Sequence, residues 1–259
     1  WFWSATPQSL AHTLHWAADW LADAETGERP LSIDGASGSL RQGGHVERLR
    51  WQRDGLDIEL QGLTLTWPNQ MWLDALLHRR ATLDLLAAEH LRVLDDRPPQ
   101  PPEPRRPPEQ LELPWLHALQ LTARLQHVTL DGPAPWQWGP VALDYSYGEA
   151  NGTRQHQAAL QADLRTYGRY EARARLGTQH GFPLELTLNG QVEAHVPGAP
   201  RPQPLATQLK LQGALGGLDA SLQAQASVAP ADASSPHARG PRLDASATLR
   251  PWAPLPVHS

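Results

Sequence analysis

Apolar residues recur at every second position along most of this chain, and that period constrains the fold more than any other feature. The stretch from Val46 to Trp67 shows it most clearly. Val46, Leu49 and Trp51 lead into a turn at Asp54-Gly55, after which Leu56, Ile58 and Leu60 alternate with Asp57, Glu59 and Gln61. After Gly62 the parity slips by one residue, and Leu63, Leu65 and Trp67 carry the apolar side onward. Period two broken by Asp-Gly is the mark of half-buried strands joined by tight turns. A slip of parity at a glycine is the sequence form of a β-bulge.

Before the first strand, Thr6-Pro7 opens a helix expected over Pro7 to Ala24, with threonine as N-cap and proline at the first helical position. Leu10, Leu14, Ala17, Ala18 and Leu21 form its apolar stripe, which Trp16 and Trp20 are expected to widen. Such a helix either docks on the sheet or lies on a membrane surface, and docking is the commoner fate. Alternation then starts at Leu31 and Ile33. Helical spacing at Met71, Leu73, Leu76 and Leu77 interrupts it with a short helix, and Leu83, Leu85, Leu91 and Val93 resume it up to Asp95-Asp96. The prolines of the stretch RPPQPPEPRRPPEQ remove backbone donors and favour extended polyproline II, so it reads as a semi-rigid linker.

Beyond it Leu119, Leu121, Ala123 and Leu125 share one parity, and Val128 and Leu130 take the other after a second slip. A turn presenting Trp136 and Trp138 precedes Val141, Leu143, Tyr145 and Tyr147. Ala158, Leu160, Ala162 and Leu164 lead through Tyr167-Gly168 to Tyr170, Ala172, Ala174 and Leu176. Further strands carry Leu184, Leu186, Leu188, Val192, Ala194 and Val196, then Leu205, Leu209 and Leu211, then Leu222 to Val228, then Leu243 to Leu249. A polar loop is expected at 230 to 240. Roughly fourteen strands result, and turns this short predict an antiparallel meander. At about 4.8 Å per strand it would extend on the order of 65 Å, so it must curl into a trough or split into a β-sandwich. The expected organisation is a helix over 1–29, a first β segment over 30–96, a proline-rich linker over 97–113 and a second β segment over 114–259.

The residues that carry chemistry are sparse. The chain contains no cysteine, which excludes disulfides and thiol catalysis, and its net charge of −5 is interspersed rather than clustered, which leaves no nucleic-acid footprint. No run of 18 apolar residues spans a membrane. His12, His15 and Asp19 lie on one side of the first helix but lack a further ligand, and a solvated face is the reading for a set so incomplete. Gly213, Gly216 and Gly217 sit in a hairpin rather than before a helix, so they form no phosphate loop. No serine lies in a nucleophile-elbow context. Arg41, Arg48, Arg50 and Arg53 read as charges that discourage edge-to-edge pairing. These features predict a non-enzymatic protein without metal or cofactor. Leucine dominates the apolar positions although it is not a favoured strand residue; genomic composition bias, visible also in the 25 prolines, and a loose apolar surface are rival accounts of it.

Three stretches carry a resemblance. IDGASGSLRQGGHVERLRWQRDGLDIELQGLTLTWPNQMWLDALLHRRATLDLLAAEHLRV, the restart LPWLHALQLTARLQHVTLDG, and ASATLRPWAPLPV together resemble the N-terminal periplasmic portion of the TamB family, AsmA-like bridge-like lipid transfer proteins of diderm bacteria. The resemblance implies a trough-shaped sheet in the periplasm, an inner-membrane anchor preceding Trp1, and an outer-membrane barrel partner, TamA, reached through a C-terminal region that this sequence lacks. It implies a phospholipid conduit between the membranes, or a scaffold for outer-membrane protein and autotransporter assembly through an exposed strand edge. The apolar face then becomes the candidate lining. Its residues are Ile33, Val46, Leu49, Trp51, Leu56, Ile58, Leu60, Leu63, Leu65, Trp67, Leu83 and Leu85 in the first segment. In the second they are Leu119, Leu121, Leu125, Leu143, Leu160, Leu164, Leu184, Leu186, Leu188, Leu209 and Leu211. A closed sandwich acting as an interaction or adhesin domain is the remaining reading.

Overall fold

A computed structural model describes residues 3–22, 28–97, 106–132, 135–150, 152–194, 202–231 and 242–253. The protein is mainly β. A single 13-stranded, mostly antiparallel sheet, not closed into a barrel, carries the strands β1 (Leu31–Ser39), β2 (Gly43–Arg53), β3 (Leu56–Thr66), β4 (Arg80–Asp95), β5 (Ala118–Asp131), β6 (Trp136–Trp138), β7 (Val141–Ala150), β8 (Thr153–Asp163), β9 (Arg169–Gly177), β10 (Pro183–Ala194), β11 (Gln203–Ala214), β12 (Leu222–Pro230) and β13 (Leu243–Leu249). The strands pair in chain order, except that β6 lies off the path against β5. Trp136 and Trp138 therefore belong to a short strand rather than to the turn expected of them. Val196 and most of the polar loop after Pro230 lie outside the described residues, as does much of the polyproline stretch.

One pairing departs from a meander. β4 and β5 are parallel, with Arg80 opposite Ala118 and Leu94 opposite Asp131. Parallel neighbours need a return over the full strand length. The 16 residues of β4 cover about 50 Å at 3.3 Å per residue. The proline-rich stretch joins the end of β4 to the start of β5, so that return falls to it. What reads as a linker between two segments is the crossover that lets them share a ladder.

The chain's contacts divide into two compact units, one of residues 1–99 with 115–144 and one of residues 100–114 with 145–259, so the cut does not follow the linker alone. In the first unit α1 spans Ser9–Trp20, after a 3₁₀ turn at Trp3–Ala5; its N-cap is Gln8, which makes no side-chain cap bond, and its C-cap is the exposed Leu21, so the helix is shorter at both ends than the Pro7 to Ala24 expected of it. The Thr6 hydroxyl donates instead to Trp3 O at 2.8 Å. The helix is fastened by Ser9, which is fully buried. Its hydroxyl accepts the Leu40 N–H at 3.1 Å and donates towards the Thr6 carbonyl at 2.8 Å. Leu10, Leu14 and Ala18 face the sheet, whereas Trp16 and Trp20 are 67% and 74% exposed and widen no buried stripe.

The short helix also differs in kind. α2 (Met71–Leu73) runs on as a π-turn over Asp74–His78 and ends at Arg79, which takes a left-handed conformation with φ 55°. Met71 and Ala75 turn inward against Leu10 and Trp67. Leu76 and Leu77 turn outward.

The parity slip seen at Gly62 is one point on a line. Gly35 of β1, Glu47 of β2, Gly62 of β3, Glu89 of β4 and Gln126 of β5 stand at the same level, and each is where its strand changes parity. Val46 and Leu49, Leu60 and Leu63, Ala88 and Leu91, and Leu125 and Val128 thus stay on one face across the slip. Gly35 and Gly62 have φ of 63° and 62°, and the Glu47 and Glu89 side chains lie over them. Five strands crease together, and the apolar face remains unbroken.

Candidate functional site

The candidate site is the apolar face itself, and the two units use it differently. In the first unit the face is closed. Ile33, Val46, Leu63 and Ala88 form a buried cluster beneath Ala18 of α1, and Leu31, Ala36, Leu49, Leu60, Leu65, Leu86 and Leu125 pack against it. Trp67 belongs to a second buried cluster with Leu10, Met71 and Ala75, which Leu83 flanks. Val46 is wholly buried and Leu63 is 3% exposed, so these two side chains are core. Beyond the crease Trp51, Leu56 and Ile58 are half-buried beside Leu91 and Val93. Leu119 and Leu121 are half-buried opposite Ala81 and Leu83, and Leu143 is half-buried in β7. Leu85 pairs with Thr66 and takes the parity of the polar side. A second irregularity between Leu83 and Leu86 is the reason, and it puts Leu86 on the apolar face in its place.

In the second unit six strands line up an apolar face in register. Leu186 stands between Ala174 and Leu211, and Leu211 next to Ala224, which faces Ala247. Leu188 stands between Ala172 and Leu209, with Leu160 beyond Ala172 and Ala226 beyond Leu209. Leu184 lies between Leu176 and Gly213. Leu176, Leu184, Leu186, Leu188, Leu209 and Leu211 are half-buried, Leu160 is exposed, and Leu222 is buried. Among the described residues both clusters of buried apolar side chains belong to the first unit, and no helix is docked on this face. The opposite parity of β10 to β12 carries Glu185, Asn189, Glu193, Gln208, Lys210, Gln212 and Gln225, all exposed. Leu164 falls just past β8, where a 3₁₀ turn over Arg165–Tyr167 begins, so it ends the strand rather than extending it.

A polar station interrupts the second unit's face at β7 and β8. His156 shares the parity of Ala158 and Leu160. The Tyr145 hydroxyl lies 2.7 Å from its Nδ1, and its Nε2 lies 2.7 Å from the carbonyl of Leu111. One neutral tautomer satisfies both contacts: Nε2–H donates to Leu111 and Nδ1 accepts from Tyr145. The Tyr147 ring lies 4.7 Å from the imidazole, and its buried hydroxyl has no partner among the described residues. Burial pushes the Tyr145 phenol up from its ordinary value. Arg154 pairs with Glu112 at 3.0 Å, so the crossover is tied by two bonds to β8. This station was not legible beforehand, since Leu111 and His156 are far apart in sequence and lie in no shared motif. Leu176, Leu205 and Leu222 are absent from the candidate lining, although their alternation carries the same signal as the leucines included in it.

The polar side of the first unit carries cross-strand ion pairs. Arg48 meets Glu59 at 3.2 Å, and Arg50 meets Asp57 at 2.9 Å through Nε. The Arg50 guanidinium holds the Asp57 carboxyl below the usual carboxylate range. Arg48 and Arg50 thus bind neighbouring strands rather than guarding an edge. His12, His15 and Asp19 do not converge, because His15 contacts Ala11 O and Asp19 pairs with Arg29. Among the described residues no group of three or more histidine or acidic side chains is placed to hold a metal, and no helix is long and apolar enough to cross a membrane. No protein-family model, curated protein or solved structure matches the chain.

Proposed function

We propose that this chain is a non-enzymatic carrier of phospholipid between the inner and outer membranes, in which acyl chains lie on the apolar face of the second unit while headgroups remain in water. The observation that carries the reading is the registered, half-buried leucine–alanine face of β8 to β13, which no described helix covers. A folded protein rarely leaves so wide an apolar surface without an occupant. Each methylene it shields is worth about 0.8 kcal/mol, which holds a diacyl lipid without a shaped pocket. Small alanines at Ala172, Ala174, Ala224 and Ala226 between the leucines leave room for chains to lie along the sheet. The resemblance to periplasmic bridge-like proteins supports the same reading.

Mass spectrometry of lipid extracted from the purified chain tests it. The paired change Leu188→Arg with Leu209→Asp places two charges at one cross-strand position, where they can pair with each other, and circular dichroism monitors the fold. Folded protein should lose most of its co-purified phospholipid. Undiminished lipid in the folded variant would sink the proposal.

A second reading, the assembly scaffold, rests on β13, whose residues are all exposed and which ends the strand order. An uncovered strand edge can accept another strand. Photo-cross-linkers placed along β13 should capture a β-rich client polypeptide if that reading holds, and lipid alone if it does not.

A further inference from the structure

We infer that one end of the first unit is a docking surface for an anionic phospholipid bilayer, presented by the knuckle between β3 and β4. The register places the β1–β2 turn, the β3–β4 connection and the start of β5 at a single end of the sheet: Gly43 faces both Ser39 and Thr66, and Arg80 faces Ala118. Large apolar side chains stand out into solvent there. Leu76 is 69% exposed, Leu77 68%, Trp72 50% and Trp115 51%. Trp115 comes to this end because the His117 N–H donates to the Arg79 carbonyl at 2.7 Å. Trp72 is held there by its indole N–H, which donates to the Leu40 carbonyl at 2.6 Å.

The backbone explains how two consecutive leucines both face outward. The π-turn over Asp74–His78 admits an extra residue per turn, and such turns are frequent at functional sites. Ala75 is thereby kept against the core while Leu76 and Leu77 project. The left-handed Arg79 then reverses the chain into β4 and leaves Arg79 and Arg80 beside the leucines. Neither guanidinium has an ion-pair partner among the described residues, whereas nearby Asp74 is engaged by His78 at 3.3 Å. Uncompensated cations on a chain of net charge −5 are complementary to anionic headgroups. Leucine tips flanked by interfacial tryptophans and arginines match the layered polarity of a membrane surface, apolar inside, aromatic at the boundary and charged outside.

This inference does not depend on lipid transport. The test is flotation of the full chain with vesicles of phosphatidylcholine alone and with added phosphatidylglycerol, at low and high salt. Binding should require phosphatidylglycerol and weaken with salt. Arg79→Gln with Arg80→Gln should weaken it roughly 5-fold per arginine, and Leu76→Ser with Leu77→Ser about tenfold or more. Trp16→Ser with Trp20→Ser removes equally exposed tryptophans from α1 and should leave binding unchanged. Circular dichroism and the lipid content of the purified protein should not move in any of the three variants. Equal binding to both vesicle types, or binding unaffected by the knuckle substitutions in folded protein, overturns the assignment. So does a result in which no vesicle binds and the same substitutions abolish self-association, since the patch is then a protein contact.

Discussion

The crease depends on two glycines and the carboxylates laid across them. A Cβ at Gly35 would come within 2.3 Å of the Glu47 side chain, and one at Gly62 within 2.8 Å of Glu89. Both positions also have positive φ, which a side chain disfavours. Gly62→Ala should therefore cost about 1–3 kcal/mol in chemical denaturation. Adding Glu89→Ala should return the steric part of that loss and leave the conformational part. Ser9→Ala tests the anchor of α1: the half-buried Leu40 N–H loses its acceptor, and about 1–3 kcal/mol should disappear. At the chain's surface, bonds from Arg97 hold the Asp95 carboxyl at about 2. A depressed carboxylate contributes its stability above its unfolded value, near 4, and gives it up as pH falls towards 2. Asp95→Asn should flatten the acid-denaturation profile only in that window, and slightly, because the pair is half exposed. Among these features the slip at Gly62 and the one between Leu125 and Val128 could be read beforehand. Their alignment with Gly35, Glu47 and Glu89 could not, since it exists only in the strand register.

Among the elements, strands were the most legible, because alternation at Leu56–Leu60, Leu184–Leu188 and Leu222–Val228 belongs to the side chains that the sheet buries. Orientation was not. Nothing in β4 or β5 marks them as parallel, and the prolines between them read as a break. The reach of that connection is open to a direct check. From 96 to 117 there are 22 residues, about 68 Å in polyproline II, against a return of about 50 Å. Deleting residues 98–105 leaves too little chain. That variant should lose the Leu83–Leu121 and Val93–Leu130 pairings, and hydrogen exchange of β4 amides should rise with the fold otherwise retained in β9 to β12. The helix was legible in its inner stripe and misread at Trp16 and Trp20, since hydrophobicity alone does not say which flank meets the sheet.

At the scale of the molecule, one continuous pattern of leucines serves two ends. Val46, Leu63 and Ile33 are core in the first unit, and Leu186, Leu188 and Leu211 are surface in the second, yet their local sequences look alike. Alternation reports that a side chain leaves water; it does not report what replaces the water. The candidate site was therefore readable as a set of positions and unreadable as a division between a closed core and a face that no described helix covers. The division can be measured in the full chain. Val46→Asp puts an unpaired carboxylate where no solvent reaches and should abolish cooperative unfolding, with a loss of several kcal/mol. Leu186→Asp on the second unit's face should cost much less, about 1–2 kcal/mol, while reducing binding of an environment-sensitive fluorescent probe.

The creased line across five strands has a consequence for how such a gene can change. Removing Glu47 would restore plain alternation in β2, so that Leu49 and Trp51 fell out of step with Leu60 and Ile58 while both neighbouring strands still carried the crease. A length change at that level is tolerated only when adjacent strands change with it. Single-residue insertions and deletions should therefore be depleted along Gly35, Glu47, Gly62, Glu89 and Gln126, and deep scanning of such indels would expose the line as a shared reading frame written across the sheet rather than along the chain.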